Sequence, residues 1–271
     1  MIQTKPKHFR KQLILPAEHG SWAWLLVPYF VGTAVAGTFN LGTALVLIGG
    51  LALFLLRQPA TIWLRIRQGR GRRSDEAVVA RLVAGLSALA ILSLAGLLML
   101  GLTAVLWLAL PVAGLLAVYL AAALSRQTST RTLWMELAGA AGLALMAPAA
   151  MIAVDGRITL TTWLVWLLMA LQNVLGVLYV RLRIADTHER EADRRLMLVG
   201  HLVGLVLVLG TAVLGYIPLL ATLPFLGFCG RAMWTYVRPR PIANIKKFGF
   251  SEVGIEIISG LIIILAYANS G

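Results

Sequence analysis

The sequence is short of cysteine, histidine and acidic residues, and each shortage closes off a class of function. One cysteine, Cys229, makes no intrachain disulfide and no thiolate metal cage; it lies in an apolar run as a buried bystander. The four histidines, His8, His19, His188 and His201, are too scattered to propose a haem or metal cluster. There is no GxSxG serine elbow, no HExxH, no Walker-type glycine loop and no CxxC. Long polar stretches are missing too, so no separate soluble domain has room to fold. Acidic residues number 11 against 24 basic ones, a formal charge of +13. That excess does not point to nucleic acid. The basic residues are confined to short gaps beside apolar runs, where they orient a chain and meet anionic membrane lipids.

What is present is apolar. Hydrophobic residues make up 59% of the chain and mean hydropathy is +0.85, above the usual half of a soluble domain. A helix needs about 20 apolar residues to cross a bilayer. Nine such runs are read at 21–38, 41–64, 78–100, 102–124, 132–154, 161–180, 196–215, 217–236 and 252–268. Only Gly101 and Leu102 mark the division between the third and fourth. Lys and Arg fill alternate gaps, at 5–11, 65–73, 126–131, 181–195 and 238–247, whereas the intervening gaps carry only Arg157. Cytoplasmic loops collect basic residues. The expectation is an all-α, polytopic bundle of nine transmembrane helices, one membrane domain over 1–271, in a bacterial inner membrane. Its amino terminus, with a segment 1–20, is cytoplasmic and its carboxy terminus lies outside. The start is not a cleavable signal, because the basic residues lead into polar Ala17-Glu-His-Gly20 and not into a compact apolar core. Trp22, Trp24, Trp63, Trp134 and Trp234 fall near expected helix ends, where interfacial aromatics belong.

Polar residues within these runs each need an account, because charge inside a bilayer is costly. Arg81 and Arg231 sit near basic helix ends, and snorkelling is the default reading. Arg57-Gln58-Pro59 interrupts the second run. Arg57 either snorkels or serves an anion in a cavity, where a kink at Pro59 frees carbonyls. Glu136 is an interfacial or a functional carboxylate. Gln172 and Asn173 bridge helices or line a polar cavity. The segment 179–195 has helical period and carries Arg181, Arg183, Asp186, Glu189, Arg190, Glu191, Asp193 and Arg195. Its charges pair at i,i+4 on a solvated face, or they meet a phosphorylated ligand. Lys246 and Lys247 suit anionic headgroups. Glu18 and His19 are adjacent, and one His with one Glu makes no metal site; a cap and entry turn is the simpler account.

Pro16-Ala-Glu-His-Gly-Ser-Trp-Ala23 and Asn244-Ile-Lys-Lys-Phe-Gly249 resemble motifs of the YwiC-like family of bacterial membrane proteins. More distantly, the architecture resembles the UbiA-type intramembrane prenyltransferases, especially the menaquinone-type branch. The likeness rests on the helix count, on Pro28 and Gly32 in the first run, on Glu136-Leu-Ala-Gly139 through Pro148, and on 179–193 as a second aspartate motif. This resemblance implies a UbiA-like arrangement with a cytoplasm-facing cavity, and an isoprenoid diphosphate or quinone as ligand. It implies Asp186 and Glu189 as catalytic carboxylates, and Asp186 with Asp193 as ligands of Mg²⁺. Arg57, Gln58, Arg65, Glu136, Asn173, Arg181, Arg183, Lys246 and Lys247 would then bind substrate. One departure is large. The stretch 56–70, where that superfamily has its first aspartate motif, holds no carboxylate. Arginine can replace metal charge toward a phosphate, but a metal's Lewis acidity is lost. Two expectations follow: a diverged prenyl or lipid transferase, or a non-catalytic membrane protein that binds or moves a lipid, quinone or small anion. A scaffolding subunit is the third and less attractive reading.

Overall fold

The computed structural model describes residues 13–14, 20–124, 132–239 and 241–270. The Glu18–His19 pair and the basic gaps at 5–11 and 126–131 lie outside them. The described residues form α-helices joined by turns. In chain order these are α1 Gly20–Val35, α2 Leu41–Arg67, α3 Glu76–Met99, α4 Leu106–Leu124, α5 Leu133–Leu143, α6 Met146–Asp155, α7 Leu160–Thr187, α8 Arg194–Val213, α9 Leu223–Val237 and α10 Ile245–Ala268. Among the described residues seven segments are long and apolar enough to cross a membrane, with α5 and α6 together making one of them. The chain is therefore a multi-pass helical membrane protein. The helices α1 and α9 are shorter, at 16 and 15 residues.

The local sequence explains most boundaries. Asn40 and Thr159 each start a helix with a reciprocal capping box, to Thr43 and Thr162. The division at Gly101 is real: its φ of 78° needs glycine, and a 3-10 turn over Thr103–Val105 follows before α4. The fifth apolar run is broken, which the sequence reading did not anticipate. Pro148 has no N–H for the Ala144 carbonyl and its ring crowds that group. Ala144 instead accepts from Ala147 N at 3.0 Å, and the tightened turn separates α5 from α6. Pro59 has no such effect, since α2 runs through it unbroken.

Two further boundaries differ from expectation. The last apolar run, read from 252, starts earlier: α10 begins at Ile245, because Asn244 caps it by accepting from Lys247 N at 3.0 Å. The segment 179–195, read as one helix, stops at Thr187. Glu189 then turns left-handed at φ 52°, and Asp193 caps α8 by accepting from Leu196 N at 2.9 Å.

The most buried helices are α1, the α5–α6 pair and α7. α1 lies between α6 and α10, α2 packs along α3 and α6, and α7 packs on α5, α6 and α8. α3 and α4 are peripheral and turn large apolar side chains outward, among them Ile91, Leu92, Trp107 and Leu110. Small residues set the closest approaches. A Cβ on Gly32 would collide with the backbone of Ala147, and one on Gly260 would lie 2.7 Å from Val27.

Gly32→Ala should therefore lower stability by about 1–3 kcal/mol, as overpacking against fixed backbone does. Gly85→Ala, where a Cβ meets open space, is the matched control and should leave the unfolding midpoint in detergent nearly unchanged. Equal midpoints for the two variants would contradict the α1–α6 packing.

Candidate functional site

Helix α7 carries a polar line on an otherwise apolar surface, and its side chains gather partners from four other helices. The deepest residues are Gln172 and Asn173, both buried. Asn173 Nδ2 donates to the Trp24 carbonyl of α1 and to the Ala140 carbonyl of α5, each at 3.0 Å. The Trp24 carbonyl is available because the residue four further on is Pro28, which has no N–H to offer it. Of the two readings open for this amide pair, both residues bridge helices. Gln172 Nε2 donates to the Glu256 carbonyl of α10 at 3.2 Å and to the Glu256 carboxylate. Trp24 also hydrogen-bonds that carboxylate. Gly176 makes the room, since a Cβ there would lie 3.1 Å from Glu256 Oε1.

One turn earlier on α10, Glu252 pairs with Arg231 of α9, whose Nη1 donates to both carboxylate oxygens at 2.8 and 3.1 Å. The Arg231 guanidinium lies 4.1 Å from the centre of the Tyr179 ring and 5.1 Å from that of Phe228. Arg231 therefore does not snorkel. A carboxylate and two ring faces hold it, and its side chain is 18% exposed. Arg183 closes the line at the basic end. Its Nη1 donates to Tyr179 Oη at 2.8 Å, and its guanidinium lies over Tyr179 and Phe248 at 5.7 and 5.1 Å. From Arg183 to Gln172 the array spans about 16 Å of helix.

The other expected site residues are spread around the basic ends of the helices. Arg57 is half-buried over the Tyr119 ring at 5.7 Å, and Gln58 beside it is also half-buried. Arg65 is exposed. Arg181 pairs with Glu136 at 2.8 Å. Lys246 and Lys247 are exposed in the first turn of α10. Asp186 is largely buried and bonds to Arg194, whose other nitrogen donates to the Thr235 carbonyl at 3.0 Å. Asp186, Arg190, Glu191, Asp193 and Arg194 line an open depression of about 540 Å³. Glu189 is exposed on the left-handed turn. Among the described residues no three His, Cys, Asp or Glu side chains gather closely enough to hold a metal ion. With Asp186 on Arg194 and Asp193 on its cap, this donor set does not form a cage for Mg²⁺.

Sequence reasoning missed Glu252 and Glu256 as site residues and took Arg231 for a snorkelling side chain. The signal was present. Two carboxylates four residues apart inside an apolar run share one helix face, and carboxylates in a span are functional candidates by default.

Arg194→Ala takes its arginine from the buried Asp186 carboxylate and should cost about 2–3 kcal/mol of stability. Adding Asp186→Ala should recover part of that loss, with a coupling of about 1 kcal/mol in a double-mutant cycle. Additive losses would show that the pair contributes nothing as a pair.

No curated protein and no solved structure matches the chain. The family model described as YwiC-like protein matches residues 15–151, from the entry to α1 through most of α6. The buried array on α7, α9 and α10 lies beyond that stretch. As the matched stretch is just over half of the 271 residues, the chain belongs to the YwiC-like protein family.

Proposed function

We propose that this is a nine-span inner-membrane protein, one membrane domain with its amino terminus in the cytoplasm, that binds a phosphate-bearing amphiphile at its cytoplasmic face without transferring it. Seven spans meet the length criterion by themselves. The short helices α1 and α9 complete the count, α9 with the 3-10 turn over Leu219–Thr222 before it. The orientation is supported by charge. The turns at 68–75 and 238–244 hold three and two arginines, and Arg181, Arg183, Arg190, Arg194 and Arg195 lie in and beside the turn at 188–193, whereas the turns at 36–40, 100–105 and 214–218 carry no charge and that at 156–159 carries only Arg157.

The observation that carries the binding reading is the setting of Arg183. It stands half-buried at the mouth of the polar array, its guanidinium steadied on two aromatic rings, with Lys246 and Lys247 exposed on the neighbouring turn of α10. A planar guanidinium held this way suits a phosphate oxygen pair, and the adjoining lipid-facing helices suit an apolar tail. Binding is favoured over transfer by the carboxylates. Asp186 is engaged by Arg194 and Asp193 by a helix cap, so the acidic groups that transfer chemistry would draw on already have other partners.

Geranylgeranyl diphosphate and an anionic phospholipid are the probes, each added to the detergent-purified protein with Mg²⁺ and with EDTA. Binding should be the same in both buffers. Arg183→Ala should weaken it about tenfold, the loss of one charge-assisted hydrogen bond. Mg²⁺-dependent binding of the diphosphate would instead favour transferase chemistry, and no binding of either probe would sink the ligand reading.

The topology has its own check. Alkaline phosphatase fused after Ser270 should be active, and the same fusion placed between Gly69 and Gly71 should be inactive.

A further inference from the structure

The Glu256 carboxylate sits in the interior of the bundle, 6% exposed. Its partners are neutral donors, Gln172 Nε2 and the Trp24 indole. Among the described residues no basic side chain pairs with it. The nearest arginine, Arg231, is occupied by both oxygens of Glu252 one turn away. A charge held in hydrocarbon by neutral groups alone is expensive, and binding one proton removes the expense.

The surroundings suit both forms of the acid. Gln172 is 1% exposed, and its Oε1 has no hydrogen-bond partner. In the orientation seen, its amide donates to an ionised carboxylate. Turned by half a revolution, the same amide would give up its bond to the Glu256 carbonyl and present Oε1 to accept the O–H of a protonated one. The orphaned oxygen is the group that the second state needs.

Access is one-sided. Toward the basic face the polar groups continue through Glu252, Arg231, Tyr179 and Arg183, with Thr235 Oγ1 donating to Tyr179 Oη at 3.4 Å. Toward the other face the next turns of α10 close. Gly260 packs on Val27 and Val31, and Ile263 is fully buried. The charged or titratable groups facing this region are Glu252 on α10 itself, Arg231 of α9, Tyr179 and Arg183 of α7 and, beside Arg231, His201 of α8. Within its described residues α1 contributes none.

We propose that Glu256 is a proton-binding site of the membrane domain, loaded from the basic face. One O–H bond forms on the carboxylate, the proton comes from water at that face and returns there, and nothing is oxidised or reduced. The inference rests on the buried array and is independent of the amphiphile reading.

The test is infrared difference spectroscopy of the full-length protein in liposomes as the bath pH is cycled. A carbonyl-stretch band of a protonated carboxylic acid should appear reversibly on acidification, move when the glutamates carry ¹³C, and vanish in Glu256→Gln. If that variant does not fold, Gln172→Ala keeps the carboxyl and should move the band by removing its hydrogen-bond partner. Three results would overturn the proposal: no glutamate band, a band indifferent to both substitutions, or a band that follows sodium at constant pH.

Discussion

One amide holds the centre of this bundle together. Asn173 spends both Nδ2 hydrogens on carbonyls of two other helices, and one of those carbonyls is open only because Pro28 lies four residues after it. In hydrocarbon every backbone polar group must find a partner within the protein. A proline inside a buried helix therefore creates a demand, and a side chain from a neighbour must meet it. The result fixes α1, α5 and α7 as one unit, and α10 joins it through Gln172 and Glu256.

The remaining helices are arranged around that unit according to what they can leave exposed. α3 and α4 carry apolar side chains on nearly all sides and tolerate lipid contact, so they lie outside. α7, α9 and α10 carry arginines and carboxylates and turn them toward one another. Arg231 illustrates the economy of this arrangement: two rings and one carboxylate neutralise a guanidinium that would otherwise have to reach water.

The charged residues thus separate into two groups with different tasks. Those at the basic helix ends, such as Arg181 with Glu136 and Arg67 with Glu76, are exposed pairs that screen one another and add little to stability. Those of the interior line form two bonded groups one turn apart on α10, Arg183–Tyr179–Arg231–Glu252 and Glu256–Gln172. The interior line is the chemically unusual part of the molecule, and it is where we propose that ligand and proton bind.

The sequence alone determined the fold class and the location of most spans. Apolar run length and the alternation of basic gaps are local properties, and the bilayer imposes them on any chain. The division at Gly101 was legible for the same reason, since a glycine between two apolar runs marks a turn. Tertiary structure decided what pairs with what. Asp186 was read against Arg190 or a metal, and the left-handed turn at Glu189 brings Arg194 to it instead. The break before Pro148 depends on a carbonyl finding a nearer donor, and the start of α10 depends on the Asn244 cap. Glu256 meets Gln172 across 84 positions of sequence, a separation at which no periodicity carries information; only the packing of α7 against α10 makes them neighbours.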